Sequence, residues 1–224
     1  MRSGTSSLGR QAPSRIWAAR LSLCATIAVI LILLLLHVVK PEFAPSWRFL
    51  SEYAIGQNGW IMALCFQIWA LSSIALFMAL KDEVPTRAGR IGTHLLLVVA
   101  ASLAVASLFA QDPVTARPEE LTPHGSIHAA ASMIGIPGIP LAALLISHGL
   151  TKHNPAWMSH RKPIMWLAHL TWISLAIMAV YLALAVPRAG GFTPEVWAGW
   201  MNRFVVATYL GWQMAIASLL SRGP

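Results

Sequence analysis

Six long apolar runs, separated by short polar breaks, organise this chain. They cover 17–39, 59–80, 91–110, 124–147, 164–186 and 196–220. Each is close to the roughly 20 mainly apolar residues with which an α-helix crosses hydrocarbon. The breaks carry turn formers: Lys40-Pro41-Glu42, Gln57-Asn58-Gly59, Asp112-Pro113, Thr122-Pro123 and Lys162-Pro163. The pattern predicts an all-α fold, a polytopic transmembrane helical bundle of six spans. Residues 1–16 read as an N-terminal arm and 17–221 as one six-helix transmembrane domain. The first run, behind an arginine-bearing arm, has a signal-peptide flavour. Its apolar core is too long for one and no small-x-small site follows Val39, so it is expected to be an uncleaved anchor.

Composition strengthens the membrane reading. Of the 224 residues, 57% are apolar and 11% charged, against roughly 25% charged in a typical soluble domain. Lipid is the solvent that accommodates such a surface. The net charge of +8 raises nucleic acid as a partner, but the basic residues form neither a stripe nor a tail. They lie in the gaps between apolar runs, where membrane topology accounts for them. The bilayer is therefore the expected partner and nucleic acid is not. Cys24 and Cys65 each sit inside an apolar run with no Cys-x-x-Cys pairing, and read as buried thiols.

Charge also predicts orientation. Of the 16 Lys and Arg residues, Arg2, Arg10, Arg15, Arg20, Lys81, Arg87, Arg90, Lys152, Arg161, Lys162 and Arg222 fall on one side. Lys40, Arg48, Arg117, Arg188 and Arg203 fall on the other. The positive-inside rule places the first set in the cytoplasm, with both termini, and the protein in the plasma (inner) membrane. Trp17, Trp157 and Trp166 lie near inner span ends and Trp47, Trp60, Trp197 and Trp200 near outer ones, as in an aromatic belt.

Two spans carry packing signals. Ala207, Gly211, Ala215 and Ser218 form a small-residue stripe at helical spacing, which predicts close approach of a second backbone. In the fourth span, Pro137 and Pro140 each remove a backbone donor and predict a kink near mid-membrane, either to fit the bundle or to shape a cavity.

Polar residues gather on the outer side. Ser46 is placed to cap a short helix with Trp47, Leu50 and Tyr53 on one face and Gly56 at its end. That helix would lie on the bilayer surface or fold back over the bundle, and it carries Ser51 and Glu52. Asp112 leaves the third span. Thr122 and Pro123 suit the N-cap and first turn of the fourth. His124 and His128, four apart, share one helix face. Arg203 lies roughly 10 Å below the start of the last span at ~1.5 Å per residue. A charge at that depth seeks a partner or a wet cavity, and Glu52 and Asp112 are the nearest carboxylates by depth. Its alternative is to snorkel or to make a structural ion pair. His37 can join the cluster, while His94, His148, His153, His160 and His169 fall toward the cytoplasmic side. The histidine pair has zinc-ligand spacing but no His-Glu-x-x-His signature, so no metal and no cofactor is assigned.

Leu50-Ser51-Glu52-Tyr53-Ala54-Ile55-Gly56, followed by Gly59-Trp60-Ile61-Met62, resembles the first outer loop and second span of a prokaryotic membrane family catalogued as domain of unknown function 998. The likeness continues through Phe109, Asp112-Pro113, Thr122, Gly125, His128-Ala129-Ala130 and Asn202-Arg203. The resemblance implies a six-span layout and makes Ser51, Glu52, Asp112, His128 and Arg203 the characteristic polar positions. His124 is outside that pattern. Ala110-Gln111 stands where the family tends to have proline and threonine, and Asn202 where it tends to have glutamine. The family carries no established reaction.

Three roles are open at this stage. In an accessory or structural membrane subunit, the polar cluster only holds the bundle together. In an outer-leaflet enzyme acting on a lipid or amphiphile, His128 with Glu52 or Asp112 supplies acid–base catalysis while Arg203 and Ser51 hold an anionic head group. In a carrier or sensor, the same groups bind a small anion or relay protons. The structural role is the leading expectation.

Overall fold

The computed structural model describes residues 13–153 and 155–222, and all regular structure among them is helical. The part of the N-terminal arm before position 13, with Arg2 and Arg10, lies outside the described residues, as does the side chain of His153. In chain order the helices are α1 (Pro13–Val39), α2 (Gly59–Leu80), α3 (Arg87–Leu108), α4 (Pro123–His153), the short α5 (Pro155–Met158), α6 (Arg161–Ala189) and α7 (Ala198–Arg222). All but α5 are long and apolar enough to cross a membrane. The expected spans sit on these six, with shifted ends. α3 stops at Leu108 because Phe109 turns extended. α4 runs on to His153 because its polar tail stays helical, with the Thr151 hydroxyl donating to the Ser147 carbonyl at 2.8 Å.

The six long helices form a closed ring. Each packs on its neighbour in sequence, α5 aside, and α7 returns to α1. Each connection joins consecutive helices at the same end of the ring, so ring neighbours run antiparallel. One end, the loop end, carries the connections 40–58, 109–122 and 190–197. At the opposite end Leu80, Leu150, Trp157, Ile164 and Leu220 share one buried cluster with Ala19. Arg15 of α1 forms an ion pair there with Glu83 of the α2–α3 connection.

Hydrogen bonds pin the ring where hydrophobicity cannot, because lipid is as apolar as the interior. Ser72 donates to the Ser22 carbonyl at 2.9 Å and meets Thr26 at 2.8 Å. Gln213 donates to Ser72 at 2.9 Å and accepts from the Trp69 indole at 3.0 Å. Together these join α1, α2 and α7. Ser174 and Thr208 join α6 to α7 at 2.8 Å, and Trp212 donates to Ser147 of α4 at 3.0 Å.

Close backbone approach occurs at a different place from the one the sequence suggests. Gly211 would meet nothing with an added Cβ, and Ala207 is exposed, so that stripe faces out of the ring. The tight pair is α3 with α4. A Cβ on Gly149 would lie 3.0 Å from the Gly89 backbone, and one on Gly138 2.9 Å from Val99. Pro137 and Pro140 lie within uninterrupted α4. Pro140 has no N–H for the Ile136 carbonyl, and the Tyr209 hydroxyl donates to that carbonyl at 2.8 Å instead. Trp17, Trp60, Trp166, Trp197 and Trp200 are exposed as a belt requires, but Trp157 is fully buried and belongs to the core. Cys65 is buried, whereas Cys24 faces outward.

Candidate functional site

The α1–α2 connection builds the site. It does not lie on a surface: it folds back over the loop end of the ring. Ser46 caps nothing there; its carbonyl accepts from the Trp200 amide at 3.1 Å. The helix is a single 3-10 turn, Leu50–Ala54, ended at Ile55 and Gly56, whose φ of +72° suits glycine. Leu50 and Tyr53 point inward and are buried.

Glu52 is the knot of this connection. It is fully buried, and its carboxylate accepts from the Phe49 amide at 2.8 Å and the Val114 amide at 2.9 Å, and pairs with Arg48 at 2.7 Å. One side chain therefore binds its own turn, the α3–α4 connection and a cation.

Arg203 does not pair with Glu52 or Asp112. Its Nε donates to His37 Nε2 at 2.8 Å and its Nη2 to the Tyr53 hydroxyl at 2.8 Å. Nη1 donates to the carbonyls of Arg48 at 2.8 Å and Gly199 at 3.1 Å. Four of its five N–H groups are thus engaged by neutral acceptors. The physical reason is Arg48, whose guanidinium occupies the carboxylate while its carbonyl faces Arg203. His37 Nδ1 donates to the Leu33 carbonyl at 2.6 Å, which leaves Nε2 as the acceptor for Arg203. Gly199 permits this approach: a Cβ there would lie 2.3 Å from the Pro45 carbonyl oxygen. Lys40, 1% exposed, donates to the Ile55 carbonyl and lies over the Phe43 ring at 4.8 Å, with Arg48 5.1 Å from the same ring.

Asp112 holds the start of α4. Its carboxylate accepts from the Thr122 amide at 2.9 Å and hydroxyl at 2.8 Å, and Thr122 Oγ1 in turn accepts from the Gly125 amide at 3.0 Å. Thr122 is the expected N-cap, and Gly125 leaves room for Asp112: a Cβ there would lie 2.0 Å from Oδ2. His128, 3% exposed, contacts no carboxylate. Its Nδ1 donates to the Phe109 carbonyl at 2.8 Å and lies 3.3 Å from that of Ala106. His124 instead tilts onto the Phe109 ring at 5.2 Å. Among the described residues no three His, Cys, Asp or Glu side chains gather as a metal site.

The sequence model of a family described as "Protein of unknown function (DUF998)" matches residues 22–219. The chain belongs to this family. No curated protein and no solved structure matches it. Within this DUF998 chain the two departures from the family pattern fall on the same roof. Gln111 accepts from the Ser51 hydroxyl, and Asn202 accepts from the Leu50 amide at 3.0 Å.

Of the residues singled out in this DUF998 sequence, Ser51, Glu52 and Arg203 are brought to the α1–α2 connection, while Asp112 and His128 sit at the α3–α4 junction. Arg48, Tyr53, Lys40 and Gly199 complete the cluster and were not singled out for it. The i, i+4 spacing of Arg48 and Glu52 was the available signal. Nothing local marks Gly199, whose role depends on a chain segment about 150 positions away.

Proposed function

We propose that this chain is an accessory or structural membrane subunit, with Glu52, Asp112 and Arg203 clamping its own loops over the end of the helical ring. The saturation of Arg203 carries this reading. A guanidinium that binds an anionic head group needs free N–H groups, and here two backbone carbonyls, an imidazole and a phenol hold four of the five. The catalytic alternative loses its acid–base pair, because His128 bonds main-chain carbonyls while each carboxylate is spent on main-chain amides. On the positive-inside argument, the clamped end faces away from the cytoplasm, both termini lie inside, and the membrane is the plasma membrane.

The test compares lipids and metabolites of cells lacking the protein with cells carrying wild type or His128→Ala at matched membrane levels. The expected result is that His128→Ala follows wild type. A species that accumulates in both the null and the variant overturns the structural reading and identifies chemistry at this end.

A further inference from the structure

A ring of six helices encloses more space than its side chains must fill. Near the terminal end, Trp157, Trp212 and their neighbours fill it. Beneath the roof formed by Leu50 and Ser51 they do not, and a cavity of about 100 Å³ remains on the ring axis. Its wall is apolar and partly aromatic, with Phe66, Trp69, Met178 and Tyr209, and it also holds His128 and Ser132.

His128 is the unusual member. Carbonyl oxygens only accept, so the bond to Phe109 fixes the proton on Nδ1 and leaves Nε2 as an acceptor. His128 is 97% buried by its 3% exposure, and no described residue donates to Nε2. Ser102, 9% exposed on the facing helix, lines the same cavity with its hydroxyl also unbonded. An acceptor shielded from bulk water and left unmet is unfavourable, so an occupant with a hydroxyl is favoured over one without.

Access is lateral. At the loop end the cavity is covered by Leu50 and Ser51, held by the bonds of Leu50 to Asn202 and of Ser51 to Gln111. On the side between α4 and α6, α6 buries no residue beyond Met178, and the wall residue Ile136 is 36% exposed. His128 lies about 7 Å along α4 from its start, at ~1.5 Å per residue. A ligand arriving there comes through hydrocarbon. The space, about 100 Å³, is smaller than the ~150 Å³ apolar cavity that holds benzene, so a single six-membered ring is the largest occupant it takes. Phe66, Trp69 and Tyr209 suit a flat aromatic face, and Met178 is an adaptable wall.

We propose that this cavity binds a compact, lipid-soluble phenol whose hydroxyl donates to His128 Nε2. This goes beyond the structural role of the roof and does not depend on it. Full-length protein in nanodiscs is titrated with 4-fluorophenol and, separately, with 4-fluorotoluene, followed by fluorine NMR against empty nanodiscs. The expected result is saturable binding of 4-fluorophenol at least tenfold tighter than 4-fluorotoluene. His128→Phe removes that preference while keeping the ring volume, and Ser132→Leu, which fills the cavity from its half-buried rim, abolishes saturable binding of both. If His128→Phe does not fold, Ser132→Leu decides alone. Absence of saturable binding to wild type, equal affinity for the two probes, or unchanged phenol binding by a folded variant overturns the proposal.

Discussion

Arg203 shows how a charge is kept inside a membrane-spanning helix without a carboxylate. Its positive charge is solvated by oriented neutral dipoles, and each of those dipoles is itself fixed: His37 by Leu33, Tyr53 by burial, and two carbonyls by the backbone. The geometry needs a planar fork, so lysine cannot replace it. Arg203→Gln and Arg203→Lys are each expected to cost about 2–4 kcal/mol, since they orphan acceptors built for a guanidinium. A fall in the thermal midpoint of the purified protein measures this; a lysine variant as stable as wild type contradicts it. Glu52→Gln is expected to cost about 2–4 kcal/mol, because it leaves the half-buried Arg48 without its counter-charge and turns an amide donor toward backbone N–H groups. Gly199→Ala tests the same roof through sterics alone. The added methyl meets the Pro45 carbonyl at 2.3 Å, so the loop must lift, at a cost of about 1–3 kcal/mol. Loss of protease resistance in the 40–56 segment, with the spans intact, is the expected readout.

At the scale of the element, helix α4 explains why two prolines do not break a span. Pro140 strips the Ile136 carbonyl of its helical donor, and Tyr209 from α7 supplies one. The pairing predicts a coupling. Tyr209→Phe should cost about 1 kcal/mol in the wild type, within the range for interhelical bonds in bilayers. In a Pro140→Ala background, where the backbone N–H is restored, the same change should cost close to nothing. A double-mutant cycle reads the difference; equal costs in both backgrounds remove Tyr209 from this role. Elements such as α4 were legible in the sequence because length, apolarity and punctuation set them: Thr122 caps it and Pro123 opens it as read. Their faces were not. In a membrane, the lipid side and the packed side are equally apolar, so spacing alone picked the Ala207–Gly211 stripe, which faces outward. The true close contact, Gly89 with Gly149 and Gly138 with Val99, depends on which helix stands opposite. The same ambiguity placed Trp157 in a lipid belt when it fills the core. The polar positions of the site were legible for the opposite reason, since a charge or histidine in or beside a span stands out. Their partners were not: Arg203 was matched to carboxylates by depth, without Arg48 between them.

The whole molecule joins these scales through its closed ring, in which one end is filled by side chains and the other is covered by chain. The roof takes residues from two connections and the first turns of α7, with Glu52 bonded to Val114, Asn202 to Leu50, and Trp200 to Ser46. Such a cover is of use only if one end differs from the other, and the Lys and Arg distribution supplies that asymmetry across the bilayer. The two ends are therefore expected to face different compartments. Glu119 lies on the roofed end and Arg161 on the other, and both are exposed. Cysteine is introduced at either position in a chain whose own Cys24 and Cys65 are replaced by alanine. In intact cells, a membrane-impermeant maleimide should then label Glu119→Cys and leave Arg161→Cys unlabelled until the membrane is opened. The reverse pattern would put the roof in the cytoplasm and remove the positive-inside argument for this chain. Labelling of both before opening would mean that the ring does not hold a single orientation.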